Sequence, residues 1–511
     1  MTNRSTLRKE LALAAHSGAQ RVLSARLLLT LMTLLFVGLN QSSAQTLTPL
    51  VNQPPDGIVM TFQLTDGTVM AQGNNDNDWW QLTPDVNGSY VNGTWTQLAS
   101  LPAGYAPDAN ASAVLADGRL VITGGEYNFG VFALTNMGAV YDPTTDAWTS
   151  LAPPAGWNFI GDSPSLVLPN GKFVVGQKLT KDMAELDPKT LTWTALSSKG
   201  KSDFNAEEGW TLLPDGSILT ADVLHAPNSE IYSPAAQEWK SAGSTIVNLR
   251  SKTTETGCIP YGPGTTPYCY FPPGEIGPQI LRPDGTVFVT GSFTSIAATG
   301  STGPGNTSVY DIQTGTWTPG PVFPNNDNAG DEFAVLLTNG NVLVEGQFGV
   351  LYVFDGSNLT AGPQLYGSLM LLPTGEVLVG GYPGYIATQT YTSPGTYEPS
   401  WAPTISNYPS TVTRGSTYQI YGTQFNGLSQ AAAFGDEFQT ATNYPLVRIT
   451  NNSTQHVFYA RTHDHSTMGV ATGTAIVSTN FDVPATMETG ASTLVVVANG
   501  IPSAAVGVTV Q

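Results

Sequence analysis

Short apolar runs separated by two-residue turns recur along most of this chain. Ser112 to Glu126 reads SAVLADGRLVITGGE: a strand, an Asp-Gly turn, a second strand and a Gly pair. Asp117-Gly118 supplies the positive φ angles that a tight hairpin needs. Val114, Leu115, Leu120, Val121 and Ile122 are too continuously apolar for a sheet with one wet face, so both faces are expected to be covered. The hairpin recurs seven times, with turns at Asp66-Gly67, Asp117-Gly118, Asn170-Gly171, Asp215-Gly216, Asp284-Gly285, Asn339-Gly340 and Thr374-Gly375. A third strand closes on Tyr141-Asp142-Pro143 or Tyr232-Ser233-Pro234, and a fourth carries Trp95, Trp148, Trp193, Trp239 or Trp317. Four strands in about 50 residues is the period of a kelch-type propeller blade. The seventh repeat has a degraded outer strand at Ser400-Trp401, whereas Thr46 to Leu50 has the pattern of an outer strand without its Trp. The N-terminal strand is therefore expected to complete the last blade and remove the ring's open edges. An unpaired N-terminal linker is the alternative.

The pattern changes after Trp401. Ala402 to Ile405 reads as a linker, and the remaining residues alternate apolar and polar positions in short strands between Gly, Asn and Pro turns. That pattern predicts an immunoglobulin-like β-sandwich. The run Ile420 to Gly427, followed by Phe434-Gly435, resembles the IPT/TIG version of it. The fold expected is all-β: a seven-bladed kelch-type β-propeller over 45–401, then an immunoglobulin-like β-sandwich over 402–511.

Residues 1–44 predict a signal peptide. Arg21 and Arg26 precede an apolar run from Leu27 to Leu39, and Ser42-Ser43-Ala44 offers small residues for cleavage. The run is shorter than the roughly 20 apolar residues of a membrane span, and an uncleaved anchor is the alternative. A secreted, cell-surface or periplasmic protein is implied, with no membrane span after cleavage. The net charge of −19 becomes more negative on cleavage, because the segment carries five basic residues and one acidic residue. Nucleic acid and anionic membranes are poor partners for such a chain. Ten Trp and 41% hydrophobic residues argue against disorder. The only cysteines, Cys258 and Cys269, are expected to form one local disulfide in an exported chain.

Turn residues on one face of a propeller are committed to structure, so function is sought on the other, where each blade's first strand begins and its second strand ends. The segments before first strands carry Asp108, Asp162, Glu207, Glu208, Glu275, Asp331 and Glu332, and Glu126 follows a second strand. Acids converging on a channel mouth repel one another and call for protons, cationic ligand groups or a divalent cation, calcium or a transition metal. No cofactor is assigned. Tyr105, Trp157, Phe159, Phe204, Trp210, Phe323 and Tyr366 share these segments, with Trp79 and Trp80 after the first hairpin. Aromatic faces beside acids suit sugar rings. The alternative is that these aromatics pack between blades and the acids are solvated. His225 follows a second strand and is a further ligand-binding candidate. His463 and His465 would point the same way on an extended segment, as metal ligands can, though a packed or hydrogen-bonded pair is the alternative.

The layout resembles the galactose oxidase and glyoxal oxidase family, copper radical enzymes in which a seven-bladed propeller is joined to a sandwich whose loop reaches the channel. Family members open the last blade with Tyr-His-Ser; here the run is Tyr366-Gly367-Ser368 before LMLLPTGEVLVGG. The resemblance implies an axial role for Tyr366, but Gly367 stands where the copper-binding histidine would be. A second family histidine follows a Tyr-Gly pair in the sandwich; the matching segment begins Phe434-Gly435 and offers Gln439 instead. The early-blade cysteine of the radical cofactor is also missing. The resemblance therefore implies the scaffold without its copper radical chemistry. The expectation is a non-catalytic binding protein for a glycan or an extracellular protein. The alternatives are an oxidoreductase with a divergent metal site, a glycoside hydrolase using pairs such as Glu207/Glu208 or Asp331/Glu332, or a structural envelope protein.

Overall fold

The computed structural model describes residues 45–511 except 75, 253–256, 260–267, 271–273, 298–299, 382–383, 436 and 438, with backbone alone for 257–259, 268–270, 296–297 and 300–302. The expected signal peptide lies outside the described residues. No helix among the described residues is long and apolar enough to cross a membrane.

Seven antiparallel sheets form a propeller. Their innermost strands, in blades I to VII, are Ile58–Gln63, Ala111–Val114, Ser165–Val167, Thr211–Leu212, Ile276–Leu281, Phe333–Leu336 and Leu369–Leu371. Every residue of Ala111–Val114 and of the next strand, Leu120–Thr123, is buried, as continuous apolar runs require. The turn acids act as local caps: Asp66, Asp117, Asp215 and Asp284 each accept, through Oδ1, the backbone N–H two residues on. The recurring outer-strand Trp links neighbouring blades. Trp148 Nε1 donates to Ala99 O at 2.9 Å, Trp193 Nε1 to Ala152 O at 2.7 Å, and Trp317 Nε1 to Ala242 O at 3.0 Å. Each indole thus packs its apolar body against the core, Trp317 buried and Trp148 and Trp193 partly so, and satisfies a carbonyl at the end of the preceding blade. The strand Thr46–Pro49 pairs antiparallel with Gln389–Thr392 and supplies the outer strand of blade VII, with Leu47 opposite Tyr391. Backbone pairing also sets Cys258 opposite Cys269; their side chains lie outside the described residues.

The C-terminal strands form the immunoglobulin-like sandwich around Val412, Ile420, Phe425, Ile449, Phe481 and Leu494. It sits on the turn face. Thr462 N donates to Thr65 O at 3.0 Å, Arg461 Nη2 to Asp117 O at 2.9 Å, and Met468 N to Pro169 O at 3.1 Å. The Tyr459 ring covers Gly67, where a Cβ would fall 2.3 Å from it. One strand leaves this sandwich. Ala432–Phe434 pairs antiparallel with the innermost strand of blade VI, with Phe434 opposite Phe333. Phe333 begins that strand, so the inserted segment climbs the channel from the turn face and delivers Glu437 to the opposite mouth.

Candidate functional site at the propeller mouth

At that mouth lies a cavity of about 320 Å³. Blade II contributes Asp108, Glu126 and Tyr127; blade VI contributes Asp331, Glu332 and Glu345; Tyr366 opens blade VII, and Glu437 comes from the inserted segment. Asp331 lies against that segment: a Cβ on Gly435 would meet its Oδ1 at 2.8 Å. Glu345 Oε1 accepts the Gly367 N–H at 2.9 Å. A larger cavity, about 360 Å³, lies on the turn face between blades III and IV. Its charged residues include Glu238, already paired with Lys199 and Lys240, so the chemistry concentrates at the mouth instead.

The acids are crowded and poorly solvated. Burial pushes Glu332 up to about 9, with Glu345, Asp331 and Asp327 adding repulsion. Burial lifts Glu345 to about 8 against the backbone N–H groups of Gly367 and Phe333. Asp331 rises to about 7 through burial and then Glu207, opposed by Lys178. Burial also raises Asp108 and Glu126. Acids raised in the folded state bind protons that the unfolded chain has already lost, so they cost stability as pH rises from their ordinary values through the raised ones. A Glu332→Gln variant is therefore expected to be more stable than wild type at pH 9, by at least about 1 kcal/mol, and equal to it near pH 5. Urea denaturation at the two pH values checks this; a difference independent of pH would contradict it.

The expected site residues divide. Asp331, Glu332 and Tyr366 line the cavity. Asp162 and Glu207 instead share Lys178, at 2.5 and 2.6 Å from its Nζ. Glu275 begins blade V outside the cavity lining; its backbone N donates to Ser251 Oγ at 2.8 Å. Trp210 is core: it is buried, and its Nε1 donates to Glu208 at 3.2 Å. Trp157 is half-buried against the main core. Tyr105, Phe159, Phe323 and Trp79 are buried as well, so for them inter-blade packing holds. His463 and His465 have separate partners. Asp464, between them, has φ 51° and breaks the extended run that would align them. His463 meets Asp464 and Asp482, whereas His465 is buried against Thr479 and stacked on Tyr444, its pKa pushed down to about 3 by burial and then His463.

Sequence inspection missed Glu345, Glu437, Asp203, Asp222, Lys178 and Lys201. Several end or directly follow a blade's second strand, as in VLVE ending at Glu345 and ILTAD ending at Asp222. That position carries acids in more than one blade and was the available signal. Asp203, Asp222, Glu208 and Glu230 form a second buried group around Lys201, whose Nζ lies 2.8 Å from Glu208 and 3.4 Å from Glu230. Burial raises Asp222 to about 9, reinforced by Glu208, Glu230 and Asp203. His225, half-exposed, reaches Asp203 Oδ1 with Nδ1 at 3.2 Å.

The donor set at the mouth does not fit the copper centre of the family that the sequence resembles. Among the described residues its lining holds carboxylates and tyrosines with neither imidazole nor thiolate, the ligands copper favours. Gly367 has φ 146°, and a Cβ there would fall 1.7 Å from Gly380 O, so the backbone itself excludes a histidine.

No family model matches this sequence, and no curated protein does. Among solved structures, the chain is similar to a fungal alcohol oxidase of the AA5 family in complex with copper, at 16% identity over 92% of this chain and 100% of that one, with a TM-score of 0.48. It is also similar to an extracellular domain from B. thetaiotaomicron, at 11% identity over 92% of this chain and 58% of that one, TM-score 0.45. A virginiamycin B lyase from Staphylococcus aureus matches at 11% over 68% of this chain and 98% of that one, TM-score 0.43. The propeller and sandwich follow from the strand pairing alone.

Proposed function

We propose that this chain is an exported, non-catalytic binding protein that takes a glycan at the acidic propeller mouth. In this reading residues 1–44 are a cleaved signal, 45–401 a kelch-type propeller and 402–511 a sandwich of IPT/TIG type. The observation that carries the reading is the placement of exposed aromatic rings. Among the described residues, the exposed Phe and Tyr side chains are Phe129, Phe132, Phe204, Phe348, Tyr366 and Tyr385. All six lie on segments that follow second strands or precede first strands, which is the face of the mouth. Aromatic faces on this side of the propeller, with Tyr366 lining the cavity itself, and the cavity's carboxylates would together give a sugar stacking surfaces and hydrogen-bond acceptors. The excess of carboxylates selects neutral or amine-bearing sugars over acidic ones.

A glycan array probed with the purified mature chain is expected to return neutral or amino-sugar ligands. Tyr366→Ala should weaken a hit by more than about tenfold, the usual cost of losing a central aromatic contact. Unchanged binding in Tyr366→Ala would overturn the assignment to this face, and an array without hits would favour an extracellular protein partner. A glycoside hydrolase is the second reading. Asp331, raised to about 7, has the pKa range of a general acid at neutral pH. Release of reducing sugar from an array ligand would establish that alternative.

A further inference from the structure

We propose that Asp203, Asp222 and His225 form a binding site for one divalent transition ion, separate from the mouth cavity. Each offers a donor atom, and these atoms lie within 4.8 Å of one another. Asp203 lies in the segment before the inner strand of blade IV, and Asp222 directly follows the second strand, Ile218–Ala221. Asp222 is 2% exposed, and neither of its carboxylate oxygens has a hydrogen-bond partner among the described residues. A buried carboxylate in that condition is costly unless something positive faces it.

The surrounding structure holds the donors in place. Leu224 N donates to Asp203 Oδ2 at 2.9 Å, which turns Oδ1 toward His225 Nδ1. Asp222 N donates to Asn228 O at 3.0 Å and Asn228 N to His225 O at 3.1 Å, closing the loop that carries two of the three donors. Outer hydrogen bonds of this kind orient metal ligands. Charge points the same way. Four buried carboxylates, Asp203, Asp222, Glu208 and Glu230, face one buried ammonium, Lys201. Lys201 contacts Glu208 and Glu230 directly and acts on Asp222 only at longer range, so the Asp203–Asp222 end is the least compensated. A dication there would balance most of the excess. One imidazole with two carboxylates favours a zinc-class ion over calcium, which prefers six to eight oxygens. His225 is 53% exposed on its side chain, leaving the outer coordination positions to water.

The test is calorimetric titration of Zn²⁺ into the chelator-stripped mature chain, with Co²⁺ absorption as a second readout. One equivalent is expected to bind. His225→Ala, at a half-exposed position, should fold normally and bind at least about a hundredfold more weakly, since even outer partners of ligands cost about 10- to 100-fold. Asp222→Asn should abolish the site and the visible Co²⁺ band, while leaving the metal-free chain as stable as wild type or more so. The proposal is overturned if wild type binds no Zn²⁺, if both variants bind it as wild type does, or if Ca²⁺ binds equally well without dependence on His225.

Discussion

Replacing Gly367 by His is expected to destabilise the protein by about 2–5 kcal/mol and to create no copper site. Tyr366-Gly367-Ser368 stands where the galactose oxidase family, which the sequence resembles, carries Tyr-His-Ser, so a histidine here looks like a natural addition. The local backbone says otherwise. At φ 146° a side chain is strained before any contact is considered, and the first atom of that side chain would lie 1.7 Å from Gly380 O. Gly380 cannot yield easily: its own N donates to Ser368 O at 2.8 Å, and a Cβ on Gly380 would press on Ser368 Oγ at 2.4 Å. The Gly367 N–H is committed to Glu345 at 2.9 Å. Relief would require separating the first two strands of blade VII and breaking the bond that orients a cavity carboxylate. Gly367→Ala carries most of the same penalty and separates the backbone effect from the imidazole. Equilibrium denaturation of both variants, with Cu²⁺ titration of the His variant, decides the matter. Wild-type stability together with tight copper binding would show that the backbone at position 367 admits a histidine and that the mouth can hold copper.

Most of the scaffold was legible because its signals are local. An Asp-Gly turn caps its own hairpin, and an outer-strand Trp marks its own blade, so each repeat announced itself. The closure of blade VII by Thr46–Pro49 was legible by subtraction, since the last repeat lacked an outer strand. The channel insertion could not be read from the residues alone. Ala432-Ala433-Phe434 is a short apolar run like many others, and its partner, Phe333–Leu336, lies far away in sequence. The candidate site was half legible for the same reason. Asp331, Glu332 and Tyr366 were found because they precede inner strands. Glu126 was noted at the other end of such a hairpin, but the corresponding Asp222 and Glu345 of blades IV and VI were missed. The aromatics misled most: Trp210 and Tyr105 share segments with the acids, but packing between blades claims large rings first. Where only some of a segment's rings are needed as filler, the sequence carries no mark of which remain outside.

Lys201→Met is expected to cost about 3–5 kcal/mol at pH 8, the usual penalty for removing one partner of a buried ion pair. Met keeps most of the stem volume, so the loss reports charge more than packing, apart from the ammonium's position 4.2 Å from the Trp239 ring centroid. Burial alone would lower the lysine pKa; Glu208, Glu230 and Asp222 more than offset it and hold the ammonium above its ordinary value. The same negative excess explains why its partner Glu208 is also raised, to about 7, by burial and the repulsion of Asp203 and Glu230. Without Lys201 these acids must take up protons in the folded state or repel one another. The folded pKa values of Glu208 and Asp222 then rise further above their unfolded ones, and stability falls as pH climbs through that interval. The penalty should therefore be largest near pH 8 and shrink toward pH 5, where protons replace the missing ammonium. Combining Lys201→Met with Glu208→Gln should return part of the loss, because the double variant removes one charge of each sign and the two residues are in contact. A penalty that is equal at both pH values and additive with Glu208→Gln would mean that Lys201 acts through packing alone. Charge balance would then no longer account for the buried acids beside it.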